Sequence, residues 1–122
     1  MTDLKMTDQE IILDREKKWL ELRGKLKEQF GKAPDINAIL MLIGIRELGK
    51  IKKKFSKEEK QDLMHIATCS ILSRSGYYDL TGLDGDGWPH WEARKKLPVL
   101  NLIEQEDFLK DHILRYFEEM DY

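Results

Sequence analysis

The stretch INAILMLIGI, residues 36–45, decides the fold. Nine of its residues lie between Asn37 and Ile45, and none of them is charged. Asp35 precedes it as a helix N-cap and Gly49 follows Leu48 as a stop. The stretch reads as a helix over residues 35–48 that is apolar on nearly every side. Such a helix has no face to give to water, so other protein must surround it. It belongs at the centre of the domain or at a subunit interface. A membrane span needs about 20 apolar residues, and this run is too short for one.

Three further helices are predicted around it. Residues 7–30 begin with TDQE, where Thr7 caps and Glu10 stands at the capping-box position. Ile12, Trp19, Leu26 and Phe30 recur on one face, with Leu22 beside them. Gly31 and Pro34 end the segment. Residues 56–75 open with SKEE, which repeats the box with Ser56 and Glu59. Leu63, Ile66, Ala67, Ser70 and Ile71 form its core stripe, and Gly76 stops it. Residues 101–120 are capped by Asn101. Their stripe is Leu102, Leu109, Ile113, Tyr116, Phe117 and Met120, and Glu104, Glu106 and Asp107 in the first turns suit the helix dipole.

The expected fold is therefore mainly α, a four-helix bundle-like single domain over residues 1–122. Residues 77–97 interrupt the helical pattern before the last helix. They are rich in Tyr, Trp, Gly and Asp, and read as an aromatic β-hairpin or long loop turning at DGDG. In extended form Trp88, His90 and Glu92 share one side, while Pro89 and Trp91 share the other. Pro89 marks an edge arm.

The 122 residues carry 41% apolar and 36% charged side chains with a net charge of −2, which suits one folded domain. The single cysteine, Cys69, admits no internal disulfide and suits a reducing compartment. The N-terminus is polar and lacks the apolar core of a secretory signal. A cytoplasmic protein with no membrane contact is expected.

Chemistry concentrates in LDGDGWPHWE, residues 83–92. Asp84, Asp86, His90 and Glu92 are candidate ligands or acid/base groups, and Trp88 and Trp91 are candidate pocket walls. The calcium-loop pattern fails. With Gly87 as its invariant glycine, position one falls on Gly82 and position twelve on Ala93. Zinc wants more His or Cys than the loop supplies, so the metal stays open and no cofactor is called. The competing reading is a tight turn, for which Asp and Gly are the standard residues, with the tryptophans plugging the core.

Tyr77 and Tyr78 followed by DGDGWPHW resemble a pattern of small bacterial proteins of unknown function. The resemblance covers the loop and its flanking helices. It implies a mostly helical domain, and supplies no activity, cofactor or catalytic residue.

His65 and Cys69 share a helical face, but two groups make neither a zinc site nor a triad. His112 sits at the edge of a stripe. No nucleophile elbow, Walker loop or Rossmann glycine pattern is present. Residues 46–60 hold seven basic and three acidic groups, against seven acidic and two basic in residues 101–122. This local balance, with Phe55 the one aromatic among the lysines, argues against nucleic acid. The leading functional expectation is a non-enzymatic protein-protein interaction module with a protein partner or self-association. The alternative is a metal- or small-ligand-binding protein, with enzymatic chemistry still open, built on residues 83–92.

Overall fold

The computed structural model describes residues 6–50 and 54–122. Four helices and one hairpin occur among them, in the order α1 (Asp8–Phe30), α2 (Ile36–Leu48), α3 (Lys57–Ser73), β1 (Tyr78–Leu83), β2 (Pro89–Ala93) and α4 (Leu102–Glu119). The fold is mainly α with a two-stranded antiparallel hairpin before the last helix, as the sequence predicts. Two compact units make up the chain, Met1–Pro34 and Asp35–Tyr122.

The first unit is α1 and its exit. The Thr7 hydroxyl accepts the Glu10 amide at 3.2 Å, and Gly31 ends the helix with φ +87°. A left-handed residue at this point costs glycine little. The Arg23 guanidinium then donates to the Pro34 carbonyl at 2.8 Å, fixing the chain beyond the cap. Trp19, Leu22 and Leu26 are buried, whereas Ile12 and Phe30 are 52% and 56% exposed. The buried stripe is thus shorter than the sequence pattern suggests. Both outliers lie near the helix ends, where a periodic pattern says least about what packs on it.

The second unit is organised around α3, which touches α2, α4 and both strands. Asp35 caps α2 by accepting the Ala38 amide at 2.8 Å. Ile39, Leu40, Ile43, Gly44 and Leu48 are buried, and Met41, Leu42 and Ile45 are half-buried, so protein covers most faces of this apolar helix. Gly44 lets α2 approach α3 closely. A Cβ there would overlap the Leu63 carbonyl oxygen and lie 2.7 Å from the carbonyl carbon.

Ser56 and Glu59 form the full capping box of α3 at 3.1 and 2.9 Å. Every residue of its predicted stripe is buried, and Cys69 and Leu72 join it. Asn101 and Glu104 make a second box on α4. From α4, Ile113, Leu114, Tyr116 and Phe117 complete the core. Full burial of an aliphatic side chain such as Ile39, Ile71 or Ile113 contributes about 1.5–3 kcal/mol. Leu102, expected in the α4 stripe, is instead 82% exposed. It is the first residue of the helix, ahead of the turn that reaches the core.

One polar cluster crosses this core. The fully buried Tyr116 hydroxyl donates to Glu47 at 2.6 Å and accepts from Arg46 at 2.8 Å. Arg74 lies over the Tyr116 ring at 4.9 Å and pairs with Glu119 at 2.9 Å. Burial and the Glu47 carboxylate push the Tyr116 phenol up to about 12. The cluster ties α2, the end of α3 and α4 together without leaving the hydroxyl unpaired.

Candidate functional site

The hairpin is shaped by Asp84. Its backbone closes the turn, with the Asp84 amide donating to the Trp88 carbonyl at 2.9 Å and the Gly87 amide to the Asp84 carbonyl at 3.0 Å. Gly87 supplies the positive φ of +83°. One carboxylate oxygen of Asp84 accepts the amides of Asp86 and Trp88 at 2.9 and 3.0 Å. This is an Asx turn, so turn chemistry does explain the residue types. The other carboxylate oxygen bonds His90 Nε2 at 2.9 Å. The His90 bond and the Trp88 amide hold the Asp84 carboxyl below the usual carboxylate range. The Lys50 ammonium binds the Asp86 carbonyl from the far side of the sequence.

Pairing along the ladder sets Asp79 against Glu92 and Leu80 against Trp91, then slips by one residue before Gly82 against His90. The extra residue is Thr81, whose hydroxyl donates to the His90 carbonyl at 3.0 Å. A bulge of this kind bends and re-aims a strand. Asp79 and Glu92 are like charges placed opposite one another, and Arg94 offsets them through Asp79 at 3.0 Å.

Alternation along β2 leaves Pro89 and Trp91 half-buried, with His90 and Glu92 exposed. Trp88 lies before the strand and is half-buried as well. The tryptophans are therefore neither a sealed plug nor free in solvent. They line a cleft of about 240 Å³ between the hairpin and α3. Asp84, Pro89 and His90 line it from the hairpin, and Asp62, His65 and Ile66 from α3. The indole N–H of Trp91 is buried and has no acceptor among the described residues.

Of the six residues singled out in the sequence, Asp84, Trp88, His90 and Trp91 come together here. Asp86 and Glu92 do not line the cleft. Asp86 contributes its carbonyl to Lys50, and Glu92 stands on the ladder opposite Asp79. Sequence reasoning missed Asp62 and paired His65 with Cys69 alone. The signal was weak: Asp62 and His65 are three apart on α3, hence on one face. Among the described residues, no three His, Cys, Asp or Glu side chains gather to hold a metal ion.

The His65–Cys69 pair exists, with the Sγ 3.5 Å from Nε2. Burial pushes the Cys69 thiol up to about 11, so it stays protonated and is a poor nucleophile near neutral pH. His112 makes a contact that its sequence position did not reveal. Its Nδ1 faces the Phe108 carbonyl at 2.8 Å, so the neutral ring carries its hydrogen there. Nε2 then accepts the Ser75 hydroxyl at 2.7 Å. A hydroxyl on an oriented imidazole is the start of a nucleophile arrangement. The amides of Ser75, Gly76 and Tyr77 are all spent on Leu72 and Ser73 carbonyls, so none of the three is free to serve as an oxyanion donor. The pair acts as a tie between the end of α3 and α4.

The chain matches no protein-family model, no curated protein and no solved structure. Function must be read from its own surfaces.

A second concave feature, about 290 Å³, lies at the entry to α4. Leu97, Pro98 and Leu100 line it from the connector, Thr68 and Leu72 from α3, and Gln105, Phe108 and Leu109 from α4. Beside it Val99, Leu102 and Ile103 project at 102%, 82% and 74% exposure. Lys52 and Lys53 of the basic run fall outside the described residues. No helix among the described residues is long and apolar enough to cross a membrane.

Proposed function

We propose that this protein is a small, soluble, cytoplasmic and non-enzymatic interaction module whose partner is a second copy of itself. The carrying observation is the segment LPVLNLI, residues 97–103. It places three projecting apolar side chains immediately beside an apolar groove lined by the same segment. Scattered exposed leucines are ordinary, but a contiguous apolar patch calls for a partner. A two-fold dimer needs one surface that is complementary to itself. A knob next to a hole meets that requirement, because each copy can insert Val99 or Ile103 beside the other's Leu97 and Leu109.

Charge order supports the same occupant. Arg94, Lys95 and Lys96 precede the apolar segment, and Glu104, Glu106 and Asp107 follow it. Antiparallel apposition of two copies brings the basic end of each toward the acidic end of the other. Arg94, Glu104 and Glu106 already have internal partners in Asp79, the Asn101 amide and Lys110, and Lys95 lies over the Tyr77 ring. The charge order therefore sets register more than affinity. The buried, protonated Cys69 suits a reducing compartment.

Sedimentation velocity tests this reading. The wild type should dimerise with a Kd in the range of roughly 1–100 µM, as small apolar patches do. Val99→Asp with Ile103→Asp should leave a monomer of unchanged far-UV circular dichroism, since both side chains are exposed. A wild type that stays monomeric to millimolar concentration refutes the self-association.

A further inference from the structure

We infer that the cleft between α3 and the hairpin binds a small organic cation of the quaternary ammonium class. This inference is independent of self-association, because the cleft shares no lining residue with the apolar groove.

Charge comes first. Two carboxylates line the cleft, Asp62 from α3 and Asp84 from the turn, and no lysine or arginine does. The His90 bond and the Trp88 amide hold Asp84 below the usual carboxylate range, so it is ionised at neutral pH. Its oxygens are already engaged by the turn amides and by His90. Asp62 is exposed and has no ion-pair or hydrogen-bond partner among the described residues. The cleft therefore repels an anion and attracts a cation.

The rest of the lining is largely apolar: Trp88, Trp91, Pro89 and Ile66. Indole attracts a cation more strongly than any other side-chain ring. The chain already uses its tyrosines in this way. Lys95 lies over Tyr77 at 4.4 Å and Arg74 over Tyr116 at 4.9 Å. Trp88 and Trp91 carry no cation of the chain's own among the described residues.

Three kinds of cation meet this lining differently. A metal ion wants several ligands, and no three His, Cys, Asp or Glu side chains gather among the described residues. A primary ammonium or a guanidinium brings three or more N–H donors. Asp62 is the one lining carboxylate whose oxygens are both unspent, so most of those donors would lose water without gaining an acceptor. A quaternary ammonium has no N–H to satisfy. It needs a nearby negative charge and apolar contact for its methyl groups, which the carboxylates and the indoles supply. At about 240 Å³ the cleft is smaller than the ~300–1,000 Å³ of drug-sized sites, and suits one such headgroup.

The test is a titration of the uniformly ¹⁵N-labelled chain, followed through its three indole N–H resonances. Single Trp→Phe variants assign them. The probes are choline and 3,3-dimethylbutanol, its neutral isostere with carbon in place of nitrogen, with sodium chloride as the ionic-strength control. Choline should shift the Trp88 or Trp91 resonance saturably, with half-saturation of roughly 1–10 mM. The Trp19 resonance should not move. The neutral isostere should bind about tenfold more weakly, because it lacks the charge that carboxylate and ring attract. Asp62→Asn keeps the shape of an exposed side chain and should weaken choline binding about three- to tenfold. Silence of both resonances toward choline to roughly 100 mM overturns the inference. So does equal binding of the neutral isostere, an equal shift with sodium chloride, or choline binding that Asp62→Asn leaves intact.

Discussion

Replacing Gly44 by alanine puts the packing of α2 on α3 to a quantitative test. Within a helix, Gly→Ala ordinarily stabilises by about 1 kcal/mol, because alanine has less backbone freedom to lose. Gly44 has a helical backbone, so this gain is available. Packing opposes it. The new methyl would overlap the Leu63 carbonyl oxygen, with the carbonyl carbon at 2.7 Å and the Leu63 Cβ at 3.0 Å. Ordinary contact begins at 3.4 Å, and the atoms in the way are backbone, so no rotamer change relieves them. The helices must separate by several tenths of an ångström around Ile43 and Leu63, which are among the most buried residues.

Overpacking of this kind costs about 1–3 kcal/mol, sometimes more. Because the obstructing atoms are backbone, the cost falls in the upper part of that range, about 2–3 kcal/mol, and less the propensity gain of about 1 kcal/mol Gly44→Ala should destabilise by about 1–2 kcal/mol. For a chain of this size that lowers the melting temperature by roughly 4–8 °C. Gly24 of α1 is the matched control, since nothing lies within 4 Å of a Cβ built there. Gly24→Ala should therefore stabilise its own helix by up to about 1 kcal/mol. Urea denaturation followed by far-UV circular dichroism, with m-values compared, measures both. A Gly44→Ala protein as stable as the wild type would show that α2 and α3 are not held at this distance, and the packing argument would fail.

Other expectations follow from single groups. Tyr116→Phe removes the hydroxyl that donates to the half-buried Glu47 and accepts from the exposed Arg46, and should cost about 1–3 kcal/mol in the same denaturation assay. The folded Tyr116 phenol is raised to about 12, above its ordinary value of 10, so its stabilising contribution is complete below pH 10. Stability should then fall between pH 10 and 12 by about 1.4 kcal/mol per unit, and Tyr116→Phe should flatten that fall. Asp84 is shifted the other way, so its contribution is present above the ordinary carboxylate range and fades as pH drops through its lowered value. Asp84→Ala should speed amide exchange at Asp86 and Trp88 while α2 and α3 stay protected; unchanged exchange there would show that the carboxylate does not hold the turn. Cys69 should resist a disulfide reagent at pH 8 in the native protein and react at once in urea; rapid native labelling would contradict its burial.

Most of the fold was legible because helix ends are written locally. Thr7, Asp35, Ser56 and Asn101 each accept an amide three residues on. Each was identifiable from two or three neighbouring letters, since a cap is a short-range bond. The α3 stripe was legible for a different reason: its neighbours are numerous enough to bury every apolar position that period 3.6 provides. Where tertiary cover runs out, the same rule overreached. Ile12, Phe30 and Leu102 fit the period and are exposed. Periodicity describes which residues share a face, and says nothing of how far along the helix a partner extends.

The site was half legible, and the missing half has one cause. Asp84, His90, Trp88 and Trp91 announce themselves because a turn concentrates them within eight residues. Asp62 and His65 lie 22 and 19 positions before Asp84, in a helix that looks ordinary. They join the cleft only because the hairpin folds back onto α3. Ser75 and His112 meet by the same kind of closure across α3 and α4. Turn chemistry and a ligand site were posed as alternatives for residues 83–92, but the geometry divides the labour within one side chain. Asp84 spends one oxygen on the turn amides and the other on His90. Bracing the turn is what holds Trp88, His90 and Trp91 against α3, so here the structural role of the aspartate is the condition for any binding role of its neighbours.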